Sequence, residues 1–265
     1  MIRALKLPAT LHSLHIPRED RLYWLLVIFW VLSMISVPIQ LWIAGMPILP
    51  FALTVTVVMQ AAATVSVLLR GWGGRRMVMV VLAVLVMGWL VEFIGSRTGF
   101  PFGVYHYTAS LQPQILSVPL IIPLAWLMML PASWAVAACL VGTGNRWWFI
   151  LVSALAMTAW DLYLDPQKVA WGMWVWPGVE SGYFGIPWSN YAGWLLTTAV
   201  MTLVVRPRDL PLMPLLVIYG ITWILQVIGL GIFWGQPGPA VVGFFGMGVL
   251  LVAALRQRYF QPAAS

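Results

Sequence analysis

Apolar runs long enough to cross a bilayer, about 17 to 25 residues, can be placed eight times along the chain. They cover 22–43, 48–69, 76–95, 115–141, 147–165, 188–205, 211–233 and 239–255. The polar positions gather in the breaks between them. The fourth run holds Pro119, Pro123 and Pro131 and is expected to be kinked or broken. Prolines are tolerated in such a run because neighbouring helices can satisfy the freed backbone groups. The pattern predicts an all-α, polytopic integral membrane protein of about eight transmembrane helices.

Composition supports this reading. The 265 residues are 62% hydrophobic and 8% charged, with a mean hydropathy of +0.93. A soluble domain carries roughly 25% charged residues, so lipid must be the solvent for most of this surface. The single cysteine, Cys139, cannot form an internal disulfide. The segment before Leu22 has no apolar core of its own and does not read as a cleaved signal peptide.

Charge orients the spans. Twelve of the fourteen Lys and Arg fall on one set of alternate connections, at residues 3–21, 70–76, 146, 206–208 and 256–258. The other set holds only Arg97 and Lys168. That asymmetry places both termini in the cytoplasm and the protein in the cell membrane as a multi-pass protein. The net charge of +7 is then an orientation signal, and no nucleic-acid partner is expected. The division is a cytoplasmic segment 1–21, a membrane domain 22–255 and a cytoplasmic tail 256–265.

Two outer connections are long, at about 96–114 and 166–187, and they concentrate the polar and aromatic residues. They share a short match, GFPFGVY at 99–105 and GIPWSNY at 185–191. It reads either as an old duplication of a helix–loop–helix unit or as chance in two Gly/Pro-rich segments. Both copies lie on the same side, which does not fit an inverted transporter repeat.

Only seven carboxylates are present. Glu92 falls near the outer end of the third span. Asp161 and Asp165, in WDLYLDPQ, fall at the end of the fifth. Residues at i and i+4 share a helix face, so both aspartates point the same way. Pro166 is expected to end the helix, leaving Asp161 one turn, about 6 Å, deeper than Asp165. Carboxylates in a membrane span are costly and usually face the bundle interior at functional positions. Two neighbouring carboxyls in an apolar site set a protonated acid beside an ionised one, the pairing that acid–base chemistry needs. The structural alternatives are that Asp165 is solvated and paired with Lys168, and that Arg97 neutralises Glu92.

Of 17 tryptophans, six lie between Trp160 and Trp194. An interfacial aromatic belt explains several. WGMWVW, with Trp171, Trp174 and Trp176, is denser than a belt requires, and indole faces attract cations. His106, in VYHYT, is the only histidine outside the N-terminal segment. One histidine cannot build a His-rich metal site.

Several function classes drop out. Retinal photoreceptors need a buried Schiff-base lysine, and the only lysines are Lys6 and Lys168. Walker A, dinucleotide, HExxH and GxSxG motifs are absent. A membrane prenyltransferase would need two acidic clusters, whereas Glu92 stands alone beside one DxxxD, so that class is disfavoured but not excluded.

The ordered set E92-FIGSRTGFPFGVYHY, WDLYLDPQ, W-x-W and GYFGIPWSNYAGW resembles the membrane carotenoid hydratases over about residues 88–205. The resemblance implies a cofactor-independent hydro-lyase without a metal. It would add water across the terminal C-1′,2′ double bond of an acyclic or monocyclic carotenoid of the γ-carotene, lycopene or bisanhydrobacterioruberin type. Glu92, Asp161 and Asp165 are its expected catalytic residues, Asp161 or Glu92 as general acid and Asp165 orienting or deprotonating water. Trp171, Trp174 and Trp176 would shield the cation. Arg97, Tyr105, His106, Tyr183 and Asn190 would support substrate, carboxyls and water. Expected partners are the carotenoid, water, membrane lipid and downstream carotenoid-modifying enzymes. A related cyclase or prenyltransferase, and a non-enzymatic carotenoid binder or transporter, remain alternatives.

Overall fold

The structure, a computed structural model, describes residues 20–178 and 182–260. The basic residues Arg3, Lys6 and Arg18 and the end of the C-terminal tail lie outside the described residues. Eight helices account for the eight apolar runs: α1 (Arg21–Ala44), α2 (Leu49–Trp72), α3 (Gly74–Thr98), α4 (Ile121–Val141), α5 (Arg146–Ala170), α6 (Trp188–Val205), α7 (Leu212–Ile228) and α8 (Pro237–Phe260). A π-helical turn, Gly229–Phe233, extends α7. Seven of them are long and apolar enough to cross a membrane. The exception is α6, 18 residues long, packed between α3 and α5.

The helix at the centre is α4. It is apolar all round, as a helix surrounded by protein should be, and it touches α2, α3, α5, α7 and α8. Lipid and apolar side chains attract one another no better than side chains do, so close packing and polar bonds must hold such a bundle. Small residues at Ala125, Ala132, Ala135 and Ala137 of α4 are buried. Polar bonds cross the interfaces: Thr64 Oγ1 donates to the Met128 carbonyl at 3.0 Å, Trp134 Nε1 to Thr202 Oγ1 at 2.9 Å, and Tyr219 Oη to the Ala156 carbonyl at 2.9 Å.

Two boundaries differ from the sequence expectation, and proline is involved in both. The fourth run begins not as helix but as a hairpin, β2 (Gln114–Ile115) with β3 (Val118–Pro119). Leu116 and Ser117 turn it with φ of 50° and 69°, the left-handed pair that tight hairpins use. Helix α4 starts only at Ile121, beyond Pro119. At Pro166 the opposite happens: α5 runs straight through it to Ala170. Proline removes the N–H that would bond the carbonyl four residues back, at Leu162. Tyr183 Oη supplies the missing donor, reaching the Leu162 carbonyl at 3.1 Å. With that group satisfied the helix continues, so Asp165 lies inside α5 and is only 2% exposed, neither at a helix end nor solvated.

The long connections, 99–120 and 171–187, meet over one end of the bundle. Strand β1 (His106–Tyr107) pairs antiparallel with β4 (Trp174–Val175), His106 opposite Val175 and Tyr107 opposite Trp174. Thr108 N–H bonds the Met173 carbonyl at 3.0 Å. Trp171 packs edge-on against Trp234 of the α7–α8 connection, so three connections share this end.

Candidate active site

The first loop is anchored by one ring. Phe102 is wedged between Gly95 of α3 and Gly193 of α6. A Cβ on Gly95 would stand 2.8 Å from the Phe102 ring, and one on Gly193 2.6 Å from it and 2.8 Å from the Pro101 carbonyl oxygen. Only glycine admits that approach. Trp176 Nε1 then bonds the Phe102 carbonyl at 3.1 Å, tying the second loop to the first.

With the loop fixed, Tyr105 and Tyr107 reach down to Glu92. Both hydroxyls donate to Glu92 Oε2 at 2.6 Å. Trp126 Nε1 of α4 donates to Oε1 at 3.0 Å. Three donors thus converge on one carboxyl that is 5% exposed, a cradle suited to negative charge. Burial first, and the Glu92 charge second, push the Tyr105 and Tyr107 phenols above their ordinary value of 10. Both therefore keep the protons they donate.

Asp161 and Asp165 form the second carboxyl site. They lie one helical turn apart on the same face of α5. The Asn190 side-chain amide of α6 bridges them, donating to Asp161 Oδ2 at 2.9 Å and to Asp165 Oδ2. Trp174 Nε1 donates to Asp165 Oδ1 at 3.1 Å. Asp161 is fully buried and its Oδ1 has no hydrogen-bond partner among the described residues.

Glu92, Asp165 and Asn190 line one cavity of about 340 Å3 among the helices, whereas Asp161 lies behind Asp165 and does not reach it. Tyr105, Tyr107, Trp126, Trp174, Trp176 and Trp194 supply aromatic walls. Trp126 and Trp194 are stacked with ring centres 4.2 Å apart. Trp171 also faces the cavity and carries the Lys168 ammonium 4.5 Å from its ring centre. Lys168 bonds Gln167 Oε1 at 2.7 Å. Ile35 of α1, Ile228 of α7 and Phe233 also line the cavity and are exposed, so the cavity is open along α1 and α7.

Three expected residues stand apart. Arg97 is exposed and lies over the Phe93 ring, 5.1 Å from its centre, so it does not neutralise Glu92. His106 is exposed because a strand alternates its faces: Tyr105 and Tyr107 point to Glu92 and His106 away. Tyr183 acts on the α5 backbone and does not line the cavity. Sequence reasoning missed Tyr107, Trp126 and Trp194. The alternation in VYHYT was the available signal for Tyr107. Nothing in the apolar sequence of α4 distinguishes Trp126.

Residues 51–209 match the family of carotenoid biosynthesis proteins. The chain belongs to that family. A relative, the bisanhydrobacterioruberin hydratase of Haloarcula japonica, is 31% identical over 196 residues, 68% of this chain and 63% of the relative. The match thus spans under two thirds of that relative's length. No solved structure matches the chain. All three carboxyls and Asn190 fall inside the part matched to the carotenoid biosynthesis family.

Proposed function

We propose that the protein hydrates a carotenoid, adding water across a terminal C-1′,2′ double bond of an acyclic or monocyclic polyene. The observation that carries this is the Asn190-bridged aspartate pair opening, through Asp165 alone, into an aromatic cavity that also holds Glu92. The hydratase activity named for the Haloarcula relative supports the same reaction class.

An isolated trisubstituted alkene needs a positioned acid. Asp165, which faces the cavity and is protonated beside Asp161, gives its proton to C-2′, and a tertiary cation forms at C-1′. Asp161 and Asn190 position Asp165 from behind and beside it. Trp174, Trp176 and Trp194 present ring faces that stabilise a cation. Glu92 Oε2 already accepts two hydrogen bonds, so Glu92 serves as fixed countercharge and not as a proton carrier. Water adds at C-1′, its surplus proton returns to the aspartate pair, and the site is restored. The basic end of the bundle faces the cytoplasm of the cell membrane, and the polyene enters from lipid along α1 and α7.

Expression in a bacterium that makes lycopene and γ-carotene, followed by pigment extraction and mass measurement, tests the reading. Gain of one water, absent from an empty-vector control, is expected. Pigment of changed structure but unchanged mass would point to a cyclase and overturn the proposal.

A further inference from the structure

The cavity has a second polar patch that this chemistry does not use. On the wall formed by α2 and α7, Gln60, Thr222 and Gln226 line it. Gln60 Nε2 donates to Thr222 Oγ1 at 3.0 Å and approaches Met129 Sδ at 3.1 Å. Thr222 Oγ1 in turn donates to the Ile218 carbonyl at 2.9 Å. Gln226, one turn beyond Thr222 on the same helix face, is only 8% exposed. Its side chain makes no hydrogen bond among the described residues, and neither does Gln60 Oε1.

A buried amide without partners in an apolar membrane interior is costly. Gln226 does not tie α7 to any neighbour, so helix packing does not account for it. The two amides offer what a hydroxyl needs: a free acceptor on Gln60, and a donor and an acceptor on Gln226. A polyene end that was hydrocarbon throughout would leave every one of these groups unpaired.

We infer that Gln60, Thr222 and Gln226 form an oxygen-recognition subsite, binding a hydroxyl carried by the isoprenoid end segment that enters the cavity. The inference deepens the hydratase reading and rests on it for the identity of the substrate. The subsite favours an end group already oxygenated near its reacting double bond over a hydrocarbon end, which is hydrated more slowly. The reaction that supplies the favoured substrate is then one that leaves an alcohol on the isoprenoid end.

Binding can be tested without turnover. The full chain is placed in phospholipid nanodiscs and titrated with farnesol and with farnesene, an alcohol and a hydrocarbon of the same isoprenoid length, following tryptophan fluorescence. Wild type should prefer farnesol by about tenfold more than partition into lipid explains, the worth of one hydrogen bond. Gln226→Met should bring that ratio to near unity, and Gln60→Met should lower it. Gln226 makes no structural bond, so its variant should melt like wild type. A wild type that does not discriminate, or a Gln226→Met variant that still does, overturns the subsite. Carotenoid hydration is assayed in parallel. Discrimination without hydration by wild type would sink the hydratase reading and keep the subsite, whereas hydration without discrimination would do the reverse.

Discussion

Replacing Glu92 by glutamine separates its charge from its place in the fold. Its three donors are not equivalent. Trp126 Nε1 can only donate, whereas the Tyr105 and Tyr107 hydroxyls can turn and accept. A glutamine carbonyl toward Trp126 and its amide toward the two phenols therefore satisfies the cluster. What disappears, on the proposed countercharge role, is a negative charge facing the cavity. At about 6 Å from a developing cation and an effective dielectric of about 20, that charge is worth about 3 kcal/mol, or about a hundredfold in rate. Glu92→Leu differs, because it strands three buried donors at about 1–3 kcal/mol each. With protein purified into phospholipid vesicles, turnover is read from the mass of extracted pigment and stability from intrinsic fluorescence on heating. Glu92→Gln should melt near wild type and turn over about a hundredfold more slowly, by the Coulomb estimate above. Glu92→Leu should lose both. A Glu92→Gln protein with more than about half the wild-type kcat, a change of under about 0.5 kcal/mol, would refute the countercharge role.

Asp165→Asn should lower kcat by about 10²–10⁴, the usual worth of a general acid, and Asp161→Asn by less, since Asp161 does not reach the cavity. Equal losses in the two variants would sink that assignment. Gly193→Ala should destabilise the protein by about 1–3 kcal/mol, because its Cβ meets both the Phe102 ring and the Pro101 carbonyl; a wild-type melting temperature would show that the ring is not wedged. The Tyr105 and Tyr107 phenols, raised by burial above their ordinary value of 10, contribute stability that is complete below about pH 10 and falls as pH rises beyond it. Their tyrosinate absorbance, identified by difference from a Tyr105→Phe/Tyr107→Phe variant, should appear only as the protein unfolds. A separate step near pH 10 in the folded protein would contradict their burial.

What was legible in the sequence was what lipid forces to be local. Hydrophobic run length reports bilayer thickness directly, so the eight spans fall close to the eight helices. The i, i+4 spacing of Asp161 and Asp165 fixes their common face whatever surrounds them. The cradle of Glu92 was legible only in part, because its donors come from the first loop and from a helix 34 residues away. Trp126 carries no local mark, since an apolar residue buried against protein and one facing lipid look alike in an apolar run.

Pro166 shows why a correct local rule can still misplace a site. The rule that a residue before proline leaves the helix describes a backbone whose orphaned carbonyl finds no other donor. Here Tyr183, 21 residues beyond Leu162, supplies one from the second loop. That bond keeps Asp165 in helical register with Asp161, where Asn190 can bridge both carboxyls. The same connection also carries Trp174, which holds Asp165 from the cavity side. The acid pair is therefore set from two sides by one loop. Tyr183→Phe should then cost about 1–3 kcal/mol at the freed Leu162 carbonyl, lowering the melting temperature, and should lower kcat although Tyr183 does not line the cavity. Loss of stability with full kcat in the surviving folded protein would show that α5 passes Pro166 without help from the loop.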